Sequence, residues 1–139
     1  MSPVPARSGW QRAAVDIEER ELCVLGVEDE AFIRMDAADV LSEAGFRVIE
    51  AANAEETIAA CERGGVDLLF TDFNMPGMNG LDLSAVVHTR WRDIGLLITS
   101  GRHDIPVEVI PDHGLFLDKP YSPDDLVRMV SRCLDLRHL

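Results

Sequence analysis

The sequence predicts an α/β fold: five short strands alternate with helices and form one doubly wound parallel sheet covered on both faces. Three observations lead there. Short apolar runs recur along the chain, each bounded by glycine, proline or polar turn residues. Segments with apolar residues at helical spacing separate these runs. Polar residues capable of chemistry stand at the carboxyl ends of four of the five runs.

Each element has its own justification. Met1–Gly9 is rich in proline and serine, and Trp10, Ala13, Ala14 and Ile17 stand at helical spacing. Residues 1–21 therefore read as an extension, flexible or holding a short helix, and residues 22–139 as the domain. Leu22–Val27 is an apolar strand that runs straight into Glu28-Asp29-Glu30. Ile33, Ala37, Val40, Leu41 and Ala44 then fit one face of a helix, and Gly45 fits its left-handed end. Phe46–Ala51 is a second strand. Asn53 is placed to cap the next helix, with Glu56 in capping-box position, and Gly64-Gly65 stops that helix.

The apolar run of the third strand, with Leu68-Leu69-Phe70, ends in Thr71 and Asp72. A turn-rich loop follows, with Pro76-Gly77 and Asn79-Gly80. Leu81–Trp91 is helical, with Leu83, Val86 and Val87 on one face. Ile94–Thr99 is a strand ending at Ser100-Gly101. Pro106 and Pro111 break Arg102–Gly114, so a short or irregular fourth helix is expected there, in the most mobile part of the domain. Leu115–Leu117 is a short strand before Asp118-Lys119-Pro120. Ser122 caps a last helix with Pro123 at its first position, and Leu126, Met129, Val130, Cys133 and Leu134 form its apolar stripe.

The bulk composition narrows the function. With 139 residues, 47% hydrophobic and 27% charged, the chain has the size and make-up of one globular domain. A net charge of −12 speaks against direct binding to nucleic-acid backbones or anionic membranes. Met75 and Met78 read as loop packing. Cys23, Cys61 and Cys133 lack metal-ligand spacing and read as reduced cysteines of a cytoplasmic protein. No run is long enough to span a membrane, and the amino terminus lacks a signal-peptide apolar core. Thirteen residues are Lys or Arg, yet Lys119 is the sole lysine.

In a parallel sheet, Glu28, Asp29, Asp72, Ser100 and Lys119 share the carboxyl edge, where ligands bind in open α/β sheets. Three carboxylates brought together repel, and a divalent cation relieves that. Oxygen donors without His or Cys suggest Mg²⁺. A metal, an amine and a hydroxyl around one carboxylate suit a phosphoryl group, with the carboxylate as nucleophile. Simpler roles compete: Glu28 as an exposed first-turn acid, Lys119 as a surface lysine, Phe116 as a core aromatic.

The motifs VLGVEDE, LLFTDFNMPGMNG, LLITSG and FLDKP, in this order at strand ends, closely resemble the receiver domain of bacterial two-component response regulators. The resemblance runs from Leu22 to about Leu136 and is chemotaxis-regulator-like. It implies a flavodoxin-like strand order, 2-1-3-4-5. It implies that Asp72 is phosphorylated by a sensor histidine kinase or phosphotransfer protein. It also implies that Glu28, Asp29, Asp72 and the backbone carbonyl of Asn74 hold Mg²⁺, and that Lys119 and Ser100 meet phosphoryl oxygens. Phe116 takes the aromatic switch position, without the hydroxyl of the commoner tyrosine. Thr99 is the alternative switch hydroxyl; Ser100 is preferred because Gly101 supplies the small residue that follows.

The downstream target is expected to be a protein, and the chain to act as a monomer or weak homodimer. It is expected to stand alone or to be a receiver cut from a longer chain. Two other readings compete. One is a receiver-like binding module independent of phosphorylation. The other is an Asp-nucleophile phosphatase of haloacid-dehalogenase type, whose second Asp would have to stand where Asn74 does, and Asn74 cannot transfer the proton.

Overall fold

A computed structural model of the chain describes residues 21–101, 110–111 and 114–137. The elements are β1 (Cys23–Val27), α1 (Ala31–Glu43), β2 (Arg47–Ala51), α2 (Ala54–Arg63), β3 (Leu68–Asp72), α3 (Gly80–Arg90), β4 (Gly95–Ser100), β5 (Leu115–Asp118) and α4 (Pro123–Leu136). All five strands are parallel, in the order β2-β1-β3-β4-β5. The expected short helix after Ser100 and the expected mobility of Arg102–Gly114 fall mainly on residues 102–109 and 112–113, outside the described residues. So does nearly all of the 1–21 extension. Among the described residues, no helix is long and apolar enough to cross a membrane.

Period-two alternation in the strands sends neighbouring side chains to opposite faces, and both faces are apolar. Val24, Leu68, Phe70, Leu97 and Leu117 meet α1 and α4 through Ala37, Leu41, Leu126, Val130 and Cys133. Leu25, Val27, Leu69 and Leu96 meet α2 and α3 through Ala60, Cys61, Leu83 and Val87. The central strands β3 and β4 are buried along their whole length, as parallel strands covered on both sides must be.

The helix ends follow the sequence signals with two differences. Gly45 has φ 100, its N–H donates to Ser42 O and that of Phe46 to Leu41 O. That is the paired bonding of a left-handed helix end. Gly64 and Gly65, also at positive φ, end α2. Ser122 and Asp125 bond reciprocally around Pro123 at the start of α4. Asn53 caps α2 as expected, but the Glu56 carboxylate reaches Ala52 N rather than the cap residue's own N–H. On α1 the buried stripe is Ala37, Ala38 and Leu41, whereas Ile33 and Ala44, expected inside, are exposed. Both stand near the ends of the helix, and Ile33 still lines a cavity beside Ala37, Ala38 and Leu41.

The sheet edges are also shifted by a residue. Ser100 belongs to β4 and Asp118 to β5, because Ser100 still pairs with Asp118 in register. Met75 packs against the α2/α3 core as expected, but Met78 is exposed.

Candidate functional site

The carboxyl edge of the sheet gathers the acidic residues. Oxygens of Glu28, Asp29 and Asp72 all lie within 4.8 Å of one another. β1 and β3 are hydrogen-bonded neighbours with Val27 beside Thr71, so the residues that leave each strand emerge together. Asp72 and Glu28 are buried, while Asp29 is exposed. Glu28 therefore is not an exposed first-turn acid. That part of the surface is taken by Glu30, whose carboxylate caps α1 by accepting from Phe32 N.

Lys119 completes the cluster from β5. Its N–H donates to Ser100 O at 3.0 Å, extending the β4–β5 ladder past the strand ends. Its ammonium Nζ lies 3.2 Å from Asp72 Oδ1 and 3.7 Å from Glu28 Oε2. The Lys119–Pro120 peptide is cis. Tyr121, next in the chain, sets its ring edge-on to Phe70 with centroids 6.1 Å apart. A cavity of about 20 Å³, room for roughly one water, lies under the cluster and touches Glu28, Arg34, Asp72, Thr99 and Tyr121.

The two hydroxyl candidates separate. Thr99 stands beside Asp72 in register, but its hydroxyl donates to Leu117 O at 2.7 Å. Ser100, buried at the end of β4, has the strand parity of Ile98, the register partner of Phe116. Ser100 and Phe116 thus share a sheet face, and Thr99 faces the other. Phe116 itself is half-buried. Asn74 is exposed in the loop after Asp72, and with Phe73, Met75, Pro76 and Asn79 it lines an open cleft of about 340 Å³.

Sequence reasoning treated Gly80 as a turn residue and helix lead-in, yet it also sets the loop's path. A Cβ there would lie 2.2 Å from Asp72 O and 2.9 Å from Asp72 C. The Gly80 N–H donates to Phe73 O at 2.9 Å, so the loop folds back until the start of α3 touches the Asp72 backbone. Arg34 and Glu50 also adjoin the site, with Arg34 Nε 3.2 Å from Glu50 Oε1. Neither stands in a motif that would have marked it.

Burial pushes the Glu28 carboxyl up to about 7 from 4.5, and the Asp72 carboxylate adds to the rise. The Glu30 N–H and Lys119 act the other way. The folded form therefore holds this proton more tightly than the unfolded chain, and the group's contribution to stability is largest below pH 4.5. It declines as the unfolded chain ionises, and levels off above about 7. In EDTA, the urea midpoint of the wild type is expected to fall more between pH 5 and 7.5 than that of Glu28→Gln. Parallel profiles would refute the assignment. Burial pushes the Cys61 thiol up to about 11 and that of Cys133 up to about 12, leaving these two protonated near neutral pH.

The family model described as the response regulator receiver domain matches residues 24–131. The chain is 37% identical over 108 residues to the transcriptional regulatory protein PdtaR of Mycobacterium tuberculosis, covering 75% of this chain and 52% of that protein. It is 29% identical over 113 residues to the chemotaxis protein CheY of Thermotoga maritima, covering 78% and 94%. The solved structure of Vibrio cholerae chemotaxis protein CheY4 superposes with a TM-score of 0.74 at 25% identity, covering 81% of this chain and 98% of that one. The chain spans from about a quarter to about half the length of several curated relatives. The matched span opens in the first strand and closes within α4, taking in the acid pair, Asp72 and Lys119, and by that match the chain belongs to the response regulator receiver domain family.

Proposed function

We propose that the chain is a phosphoacceptor switch. Asp72 takes a phosphoryl group from a sensor histidine kinase or phosphotransfer protein in a Mg²⁺-dependent reaction, and the modified site alters binding to a downstream protein. The observation that carries this reading is the cluster of three carboxylates with the Lys119 ammonium 3.2 Å from the Asp72 oxygen. In the reaction, an Asp72 carboxylate oxygen attacks the phosphorus of a phosphohistidine. The P–O bond forms as the P–N bond breaks, the imidazole leaves, and an acyl phosphate results. The reading places the chain in the cytoplasm, as a monomer or weak homodimer.

The donors fit a hard cation, being all oxygen and mutually repulsive. Glu28, Asp29, Asp72 and the Asn74 backbone carbonyl would hold Mg²⁺, which when bound neutralises charge on the phosphoryl oxygens. Lys119 orients the attacking carboxylate and then meets a phosphoryl oxygen. Ser100 is the preferred switch hydroxyl, because Gly101 supplies the small residue that follows it; the Thr99 hydroxyl donates to Leu117 O. Phe116 shares the Ser100 face and is the aromatic that would respond.

Incubation with acetyl phosphate and Mg²⁺, read by intact mass, tests the reading. The wild type is expected to gain one phosphoryl group and Asp72→Asn none. Equal modification of both would place the acceptor elsewhere. No modification of either, with partner binding retained, would favour a phosphorylation-independent module.

A further inference from the structure

We infer that Arg34 is a positioning residue for the acid pair, holding the Glu28–Asp29 peptide in the orientation that presents both carboxylates to one cation. This rests on the Mg²⁺ reading above and adds to it a residue outside the ligand set.

Arg34 lies on the first turn of α1, with its side chain mostly buried at 19% exposure. Its Nη1 donates to Glu28 O at 2.8 Å, and its Nε donates to Glu50 Oε1 at 3.2 Å. One planar guanidinium thus ties α1 and β2 to the carbonyl between the two acids. The other polar groups of Glu28 are held as well. Its N–H donates to Ala51 O at 3.1 Å, Oε1 accepts from Glu30 N at 3.1 Å, and Oε2 faces Lys119 at 3.7 Å.

Asp29 is different. Its side chain is exposed, so its direction follows from the backbone that carries it. The peptide linking it to Glu28 has its oxygen fixed by Arg34. Rotation of that peptide plane would swing the Asp29 carboxylate relative to Glu28 and Asp72, whose oxygens now lie within 4.8 Å of it. The fork geometry of the guanidinium serves two acceptors at once, which a lysine ammonium at the end of a flexible stem does less well. Glu50 fixes the other side of the fork, so it contributes one step further away. Outer partners of this kind typically change metal affinity by about 10- to 100-fold.

The test uses the full chain, metal-free and titrated with MgCl₂, with amide chemical shifts giving the affinity. Arg34→Met keeps the stem and removes the donors. It is expected to weaken Mg²⁺ binding by about tenfold and to speed hydrogen exchange at the Asp29 and Glu30 amides in EDTA. Arg34→Lys should restore part of the affinity, and Glu50→Gln should change it by less than about threefold. Leu134→Ala, buried at the far end of α4, serves as a destabilised control whose affinity is expected to stay at the wild-type value.

Wild-type affinity and unchanged exchange in Arg34→Met would overturn the inference alone. An equal loss of affinity in Leu134→Ala would also overturn it, by showing general loosening. A wild type without Mg²⁺-dependent shifts would overturn the metal reading and this inference together.

Discussion

Lys119→Met is expected to slow phosphorylation by acetyl phosphate by about a hundredfold, the usual scale for removing one donor aimed at developing charge. The same substitution is expected to tighten Mg²⁺ binding. Nζ lies 3.2 Å from Asp72 and 3.7 Å from Glu28, so in the metal-free protein it partly neutralises the same carboxylates that a cation would. Removing it strips one competitor from the metal and one partner from the phosphoryl group. Opposite signs in the two measurements separate this role from simple damage, which would weaken both. A phosphorylation rate within threefold of wild type, at saturating Mg²⁺, would show that Lys119 plays no part in the transfer.

Asp67→Ala is expected to be among the most destabilising single changes, costing about 3–5 kcal/mol in urea unfolding, as when one partner of a buried ion pair is removed. Asp67 Oδ1 and Arg137 Nη1 lie 2.7 Å apart with side-chain exposures of 8% and 11%. Asp67 Oδ2 also accepts from Cys23 N at 2.8 Å, and Arg137 Nη1 reaches Asp67 O at 3.2 Å. Deleting the carboxylate leaves a nearly buried guanidinium and takes an acceptor from the start of β1. The double variant Asp67→Ala/Arg137→Met should recover part of the loss, since the guanidinium that lost its carboxylate is then gone. A single-variant loss below about 1 kcal/mol would mean that water reaches the guanidinium.

These two cases show what the sequence made legible. Asp72 and Lys119 could be found because each ends an apolar run, and in parallel strands all such ends meet at one edge. Glu28 and Asp29 were visible for the same reason. The Asp67–Arg137 pair was not, because 70 residues separate its members and a lone Asp before an apolar run looks like an ordinary turn residue. Periodicity put Ala37, Val40 and Leu41 of α1 against the sheet, where they pack, but it overran at both ends. It also counted Ile33 and Ala44, near the two ends of the helix, which are exposed, and passed over Ala38, which is buried. Arg34 and Glu50 meet across α1 and β2 with no motif to announce them. Ser100 was preferred to Thr99 from the sequence, through Gly101; the hydrogen bond from the Thr99 hydroxyl to Leu117 O is something that composition cannot express.

Gly80 has a mechanical consequence. Its Cα side faces the Asp72 carbonyl so closely that a single added carbon would sit 2.2 Å from that oxygen. The joint between α3 and β3 is therefore main chain against main chain. Side-chain joints have play, because rotamers absorb small displacements; this one has almost none. Treated as an engineering fit, the seat of Asp72 is set by two backbones in contact rather than by any adjustable part.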